Sequence, residues 1–466
     1  MDEITTLETK SETIHGRYWY FVDNVRESQS GKGELALYIA LPVIHTGQKV
    51  ANINIVPEPE RVIAKDGNNI IIWHKIGLTD SIRSVFYYDF DLTFFPVSTS
   101  MDVNKLLPYD TSSLEYVRNT APERWIEITK EIRQLANELA AQESSPLGKA
   151  RKIFDWVSGN IKYEYPDESL RGADKTLLRR KGDCGEFARL FVALCRAIGI
   201  PARPITALWQ EQRGGHVWAE VYLNPYGWMP VDATIANVFK DDALKDMRGK
   251  ARSVIGVDTE DPAWFFGNLY SKRIIVGLGA NIEVPSAISS EKLSYRVLQP
   301  GGIEAYPVAF ETKNLASNPV HCGFYILGDK SSDAAYAGCL ADMELAEGYL
   351  REQHYGKAEA GFKLALERTP DSAYVLLNLG RIFLATGRYS HAVEAFTKTL
   401  SGKGGSILPV WQAQAHFYLG NCYDLQKCHD AARAEYTKVL DSGVEYEGLQ
   451  DLARHCIASP YAAPRT

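Results

Sequence analysis

Lys181-Gly182-Asp183-Cys184-Gly185-Glu186-Phe187-Ala188-Arg189-Leu190-Phe191 is the stretch from which this chain is best read. Downstream of the cysteine, apolar residues recur at Phe187, Leu190, Phe191, Leu194 and Ile198, a helical spacing with one buried face. Gly199 and Pro201 end that helix. Asp183 is the expected N-cap, which sets Cys184 in the first turn. Backbone N–H groups lack helical partners there and the dipole is positive, so the thiolate, the nucleophilic form, is favoured. A lone cysteine is more often an inert core residue. Gly182 and Gly185 point the other way, because they leave room for a substrate backbone to approach. The decision rests on what partners the cysteine has.

Two strands follow the helix. Ala202–Trp209 has a strand pattern, and a polar loop ends at Arg213-Gly214-Gly215. His216-Val217-Trp218-Ala219-Glu220-Val221-Tyr222-Leu223 then alternates as a second strand, and Asn224-Pro225-Tyr226-Gly227 turns the chain. The returning strand, Trp228 to Thr234, carries Asp232 back alongside His216. Cys184, His216 and Asp232 thus fall on a helix start and two neighbouring strands. Thiol catalysis needs a nucleophile, a base, and a third group that fixes the imidazole. Singly, His216 reads as a packed histidine and Asp232 as a turn carboxylate; together the three form a candidate catalytic set.

The runs Gly182-Asp183-Cys184, Gly199-Ile200-Pro201-Ala202-Arg203, His216-Val217-Trp218 and Val231-Asp232-Ala233-Thr234 resemble the transglutaminase-like superfamily, a papain-related group. Gly267-Asn268 before Arg273-Ile274 is similar to its closing strands, so the resemblance spans about residues 115 to 285. It implies Cys184 as nucleophile, His216 as general base and Asp232 as its orienting partner. A thioester would form and pass to water or to an amine. The oxyanion hole would use the Cys184 backbone N–H and an upstream donor, for which Tyr163 is the candidate.

Upstream, short strands separated by turns run from Arg17 to about Pro96, after a polar and loose first fifteen residues. Trp125, Ile128, Ile132, Leu135 and Leu139 form an amphipathic stripe after Pro122, and Ser145-Pro146 begins a second helix. From about Asp241 to Asp258 the chain is polar, and residues 262 to 330 alternate again. Beyond that lies an internal repeat. Leu345, Tyr349, Tyr355, Ala358, Phe362 and Ala365 return as Leu379, Phe383, Tyr389, Ala392, Phe396 and Thr399, each 34 residues on. A third copy, Leu419, Gly420, Tyr423, Ala432, Tyr436 and Val439, is displaced by 40, with extra residues near Gly402–Ser406. The period resembles the tetratricopeptide pattern of stacked helix hairpins, and Glu445 to Ala458 would cap the stack.

The expected architecture is multidomain: an N-terminal β-sandwich (1–110), an α+β papain/transglutaminase-like core (111–285), a small β extension (286–335) and an all-α tetratricopeptide solenoid (336–466). With 466 residues, the chain is too long for one core. It is 45% hydrophobic and 23% charged, as soluble globular proteins are. A net charge of −7 argues against nucleic acid as the main partner. No apolar run suits a membrane span, and no secretory signal is visible. The seven cysteines lack paired spacing, which suggests neither zinc nor a disulfide framework and fits a cytoplasmic location. No P-loop, dinucleotide fingerprint, H-E-x-x-H or acidic calcium loop occurs, so no cofactor or metal is expected. The expected function is cysteine-dependent amide cleavage or acyl transfer on a protein or peptide, with the repeats binding a protein partner. The competing reading is a catalytically idle interaction scaffold.

Overall fold

The computed structural model describes residues 3–6, 11–22, 33–78, 84–209, 215–241, 244, 248, 252, 259, 261–270, 273–288, 292–295, 308–313, 320–326, 343, 346–350, 352–368, 372–401, 409–442 and 448–462. The expected polar loop through Arg213, most of the 241–258 segment and the 402–406 insertion lie outside them. The chain divides into two compact units. One comprises Met1–Ile14, Val25–Ile82 and Asp89–Asn318; the other comprises His15–Asn24, Arg83–Tyr88 and Pro319–Thr466.

At the centre of the first unit lies the cysteine helix, Cys184–Ala197, all of whose residues are buried. Asp183 caps it: its side chain accepts the Gly185 N–H at 3.1 Å. The helix packs on a four-stranded antiparallel sheet ordered Gly227–Val231, Gly215–Leu223, Ala202–Trp209, Arg273–Leu278. Phe187, Leu190, Phe191 and Leu194 meet Val217, Ala219 and Val221 in one apolar core. The sheet strand Arg273–Leu278 would leave backbone groups unpaired along one side. Two side-chain amides cover them. Gln48 donates to the Ile275 carbonyl at 2.9 Å and accepts its N–H at 2.7 Å, and Asn68 does the same for Leu278 at 2.9 and 2.8 Å. Buried backbone groups need such partners, so residues of the N-terminal region complete the core sheet.

That region is strand-rich. One sheet runs Val308–Lys313, Gly33–Ala40, Asn68–Leu78, Arg61–Lys65. A strand from the segment expected as a small β extension therefore pairs with an N-terminal one. Of the first fifteen residues, expected to be loose, the described ones are largely in strands. Glu3–Thr6 pairs with Val97–Ser100, and Glu12–Val22 is a strand. Glu3–Thr6 is short and its pairing partner lies far along the chain, so it carries little local signal.

The helical segment also differs from expectation. The stripe from Trp125 was expected to be helical throughout, but the helix runs only from Lys130 to Ala140, with Thr129 as N-cap. Trp125 has φ 67°, and Glu123 bridges Ile126, so the chain turns before the cap. A further helix, Leu114–Thr120, capped by Ser113, had no apolar stripe to announce it; Leu114 and Val117 are exposed. Pro146–Asn160 begins at Ser145 as expected.

In the second unit, residues 16–22 pair with Val320–Ile326. Helices Tyr355–Arg368, Ala373–Ala385, Tyr389–Ser401, Pro409–Leu425, His429–Asp441 and Leu449–Ala458 follow. Successive helices pack as hairpins. Gly380 lies against the Phe396 ring and Gly420 against that of Tyr436, two equivalent crossings 40 residues apart where a Cβ would overlap the ring. Alanine for glycine within a helix is ordinarily worth up to about 1 kcal/mol. Here overlap with a buried ring outweighs it, and Gly380→Ala is expected to cost about 1–3 kcal/mol. Gly356→Ala, with nothing within 4 Å, is the control. Urea titrations of both variants check this; equal stability would remove the close-packing argument.

Candidate active site

Cys184 is the first residue of its helix and is 6% exposed. Beneath it lies a buried ionic group. The Arg171 guanidinium donates to Glu186 Oε2 at 2.8 Å and to Asp183 Oδ2 at 3.1 Å, and Arg189 pairs with Glu186 from the next turn. The residues on either side of the cysteine are therefore held by charge as well as by packing. Burial and the Asp183 carboxylate push the Glu186 carboxyl up, against the pull of the two guanidiniums. Gly182 has a packing role in this group. A Cβ there would overlap the Glu186 side chain, so the missing side chain makes space for this network.

His216 stands near the start of its strand, opposite Ala207. Its Nε2 meets Asp232 Oδ2 at 2.7 Å. The ring also engages the Cys184 side chain. Because Nε2 faces the carboxylate, Nδ1 is the nitrogen left for the sulfur. Burial by itself would disfavour the charged ring. The Asp232 carboxylate, then the sulfur's charge and their hydrogen bonds, reverse this and push His216 up to about 10.

Asp232 was expected within the returning strand. That strand ends at Val231, and Asp232 instead caps the helix Ala233–Lys240. Its Oδ1 accepts the Ile235 N–H at 3.0 Å, which leaves Oδ2 for His216 and for the Tyr270 hydroxyl, which donates at 3.0 Å. The cap thus fixes the carboxylate's rotation. Tyr163 pairs in parallel with Gly182 on the strand beside the cysteine loop. Burial, then the negative charges at Cys184 and Asp183, push its phenol up, so it remains a proton donor near the sulfur.

All four expected residues, Cys184, His216, Asp232 and Tyr163, are therefore brought to one place. Arg171, Glu186, Tyr270 and Arg273 are additions. Glu186 and Arg189 had a signal, being charges three apart inside an apolar helix; Tyr270 had none. Of the other cysteines, burial pushes Cys195 and Cys456 up and Cys422 up to about 12, while Cys428 is exposed. Among the described residues, no group of three or more His, Cys, Asp or Glu could hold a metal, and no helix is long and apolar enough to cross a membrane.

Residues 133–233 match the model of the transglutaminase-like superfamily, and residues 343–406 match a tetratricopeptide repeat model. The chain is similar to an uncharacterized protein of Haemophilus influenzae, 30% identical over 196 residues, 35% of this chain and 50% of that protein. It is similar also to a Drosophila melanogaster peptide-N(4)-(N-acetyl-beta-glucosaminyl)asparagine amidase, 33% identical over 117 residues, 24% of this chain and 17% of that protein. The matches thus span about half the length of the first relative and less of the second. A solved chain from Cytophaga hutchinsonii, provisionally described as a cysteine protease, is 16% identical with a TM-score of 0.42, covering 69% of this chain and 93% of that one.

Proposed function

We propose that this chain, with its transglutaminase-like core and tetratricopeptide repeats, is a cysteine enzyme that cleaves or transfers an amide acyl group through a Cys184 thioester. The observation that carries the reading is the meeting of His216 with both the Asp232 carboxylate and the Cys184 side chain. The sulfur reacts in its thiolate form, beside a ring held as imidazolium. The sulfur attacks the amide carbonyl, and the carbonyl oxygen becomes an oxyanion. The Cys184 backbone N–H and the Tyr163 hydroxyl are the proposed donors to it. Collapse breaks the C–N bond, and the His216 proton goes to the leaving amine. The neutral ring then takes a proton from water or from a second amine, which attacks the thioester and restores the thiolate. The amidase similarity favours water as the acceptor.

The substrate class is a protein or peptide amide. The repeats are read as a solenoid that recruits a protein partner, the N-terminal strands as a β-sandwich, and the location as cytoplasmic. Intact-mass spectrometry with a peptide library, with and without a primary amine, tests the reaction. The expected result is an acyl adduct on Cys184 that decays to acid, or to amide when amine is present. A chain that yields no adduct and releases no amine from any peptide would remove the enzymatic reading.

A further inference from the structure

Arg273 opens the edge strand of the core sheet and is 1% exposed. None of its guanidinium nitrogens has a hydrogen-bond acceptor among the described residues. A buried cation without acceptors carries a large desolvation penalty, so its surroundings must offset it. What surrounds it is aromatic. Its guanidinium carbon lies 5.5 Å from the Tyr270 ring centroid and 5.6 Å from that of Trp218. These two rings lead to the reactive set. The Tyr270 hydroxyl donates to Asp232, and the Trp218 ring stacks against His216 at 6.2 Å. From the N-terminal region, Gly47 makes the space: a Cβ there would stand 2.6 Å from Nη2 of Arg273.

We propose that Arg273 is a positioning residue of the thiol site, a fixed buried positive charge that holds Tyr270 and Trp218 around Asp232 and His216 and sets the pH range over which the site keeps its protons, with Gly47 reserving its place. The inference rests on the thiol reading above and assigns no contact with substrate. Among the described residues, the titratable and charged groups near Arg273 and the His216–Asp232 pair come from a small number of elements. Asp232 comes from the helix cap, His216 and Glu220 from the strand Gly215–Leu223, Tyr270 from the segment before Arg273, and Cys184 from its helix. Glu220 is itself engaged by His45 at 2.6 Å and by Arg203 at 2.9 Å. Asp232 has the His216 ring as its close partner, and Arg273 adds a second positive charge whose field reaches both Glu220 and Asp232. Burial pulls the guanidinium down to about 10, which leaves it charged at neutral pH.

Removing a positive charge makes every nearby proton easier to hold. The test is the rate of iodoacetamide alkylation at Cys184 against pH, read by mass spectrometry on the full chain and on Arg273→Met, Arg273→Lys and Gly47→Ala. In the native chain Cys184 should react at least about tenfold faster than the exposed Cys428 at neutral pH. Arg273→Met should move the profile to higher pH by about one unit, while Arg273→Lys moves it by less than about 0.3. Gly47→Ala keeps the charge but displaces the guanidinium, and should move the profile in the same direction by a smaller step. Native Cys184 reacting no faster than Cys428 rejects the thiol reading, and this inference with it. A fast native Cys184 with an unmoved Arg273→Met profile rejects this inference alone. If Arg273→Met does not fold, an unmoved Gly47→Ala profile rejects it.

Discussion

His216→Ala is expected to reduce acyl turnover about ten-thousand-fold, because the thiol loses its base and the leaving amine its proton donor. Asp232→Asn should cost nearly as much, and it carries a second signature. In the native site the imidazolium keeps its proton to about pH 10, well above the ordinary histidine value. Without the carboxylate the ring releases that proton more readily. The alkaline limb of kcat/KM should fall by about two pH units or more, toward the ordinary value of about 6.5. This is opposite in direction to the shift expected for Arg273→Met, as it must be when the removed charge has the opposite sign. Linkage gives the matching effect on stability. A ring whose folded pKa is raised contributes stability that is fully present below its unfolded value, about 6.5, and is lost as pH rises through about 10. Pre-steady-state amine release across pH in both variants makes the measurement. An Asp232→Asn protein with native turnover and an unmoved limb would show that the carboxylate merely caps its helix.

Arg171→Ala is expected to destabilise the first unit by about 3–5 kcal/mol, the cost of leaving a buried charge without its partner. The guanidinium bridges Asp183 and Glu186, both buried on either side of Cys184. Arg189 remains for Glu186, but Asp183 loses the one cationic partner it has among the described residues and must still cap the helix. At about 2–4 °C per kcal/mol, the melting temperature of this unit should fall by roughly 6–20 °C. The pH dependence has a definite sign. A carboxyl raised in the folded state holds more protons there than when unfolded, so the stability it contributes falls as pH rises through the window above the ordinary glutamate range. With Arg171 gone that window widens, and the deficit should be larger at about pH 9 than at about pH 5. Calorimetry of the full chain at the two pH values decides it. A loss below about 1 kcal/mol at both would mean that Arg189 and water suffice for the two carboxylates.

Local pattern carried some of this molecule well. The cysteine helix follows from the apolar spacing after Cys184 and from Asp183 at its cap, because both are interactions within a few residues of chain. The helical repeats follow from their period, since each copy packs on the next. The segment before them was legible only in part. Thr129 ends the irregular run through Trp125, yet the stripe of apolar residues continues across it, and periodicity alone does not tell a helix from a turn that buries the same side chains.

The order of cysteine, histidine and aspartate, and the kind of chemistry three such groups can share, were determined by the sequence alone. Whether they meet was decided by the tertiary structure. It fixed Asp232 as a helix cap with one oxygen turned to His216, set Tyr270 on that same oxygen, and placed Arg171 and Arg273 beneath and beside the site. The reason is physical. A helix records its own periodicity in its residues, whereas a buried charge is stabilised by partners that chain separation hides, such as Arg171 for Asp183, or Gly47 making room for Arg273 across more than two hundred residues.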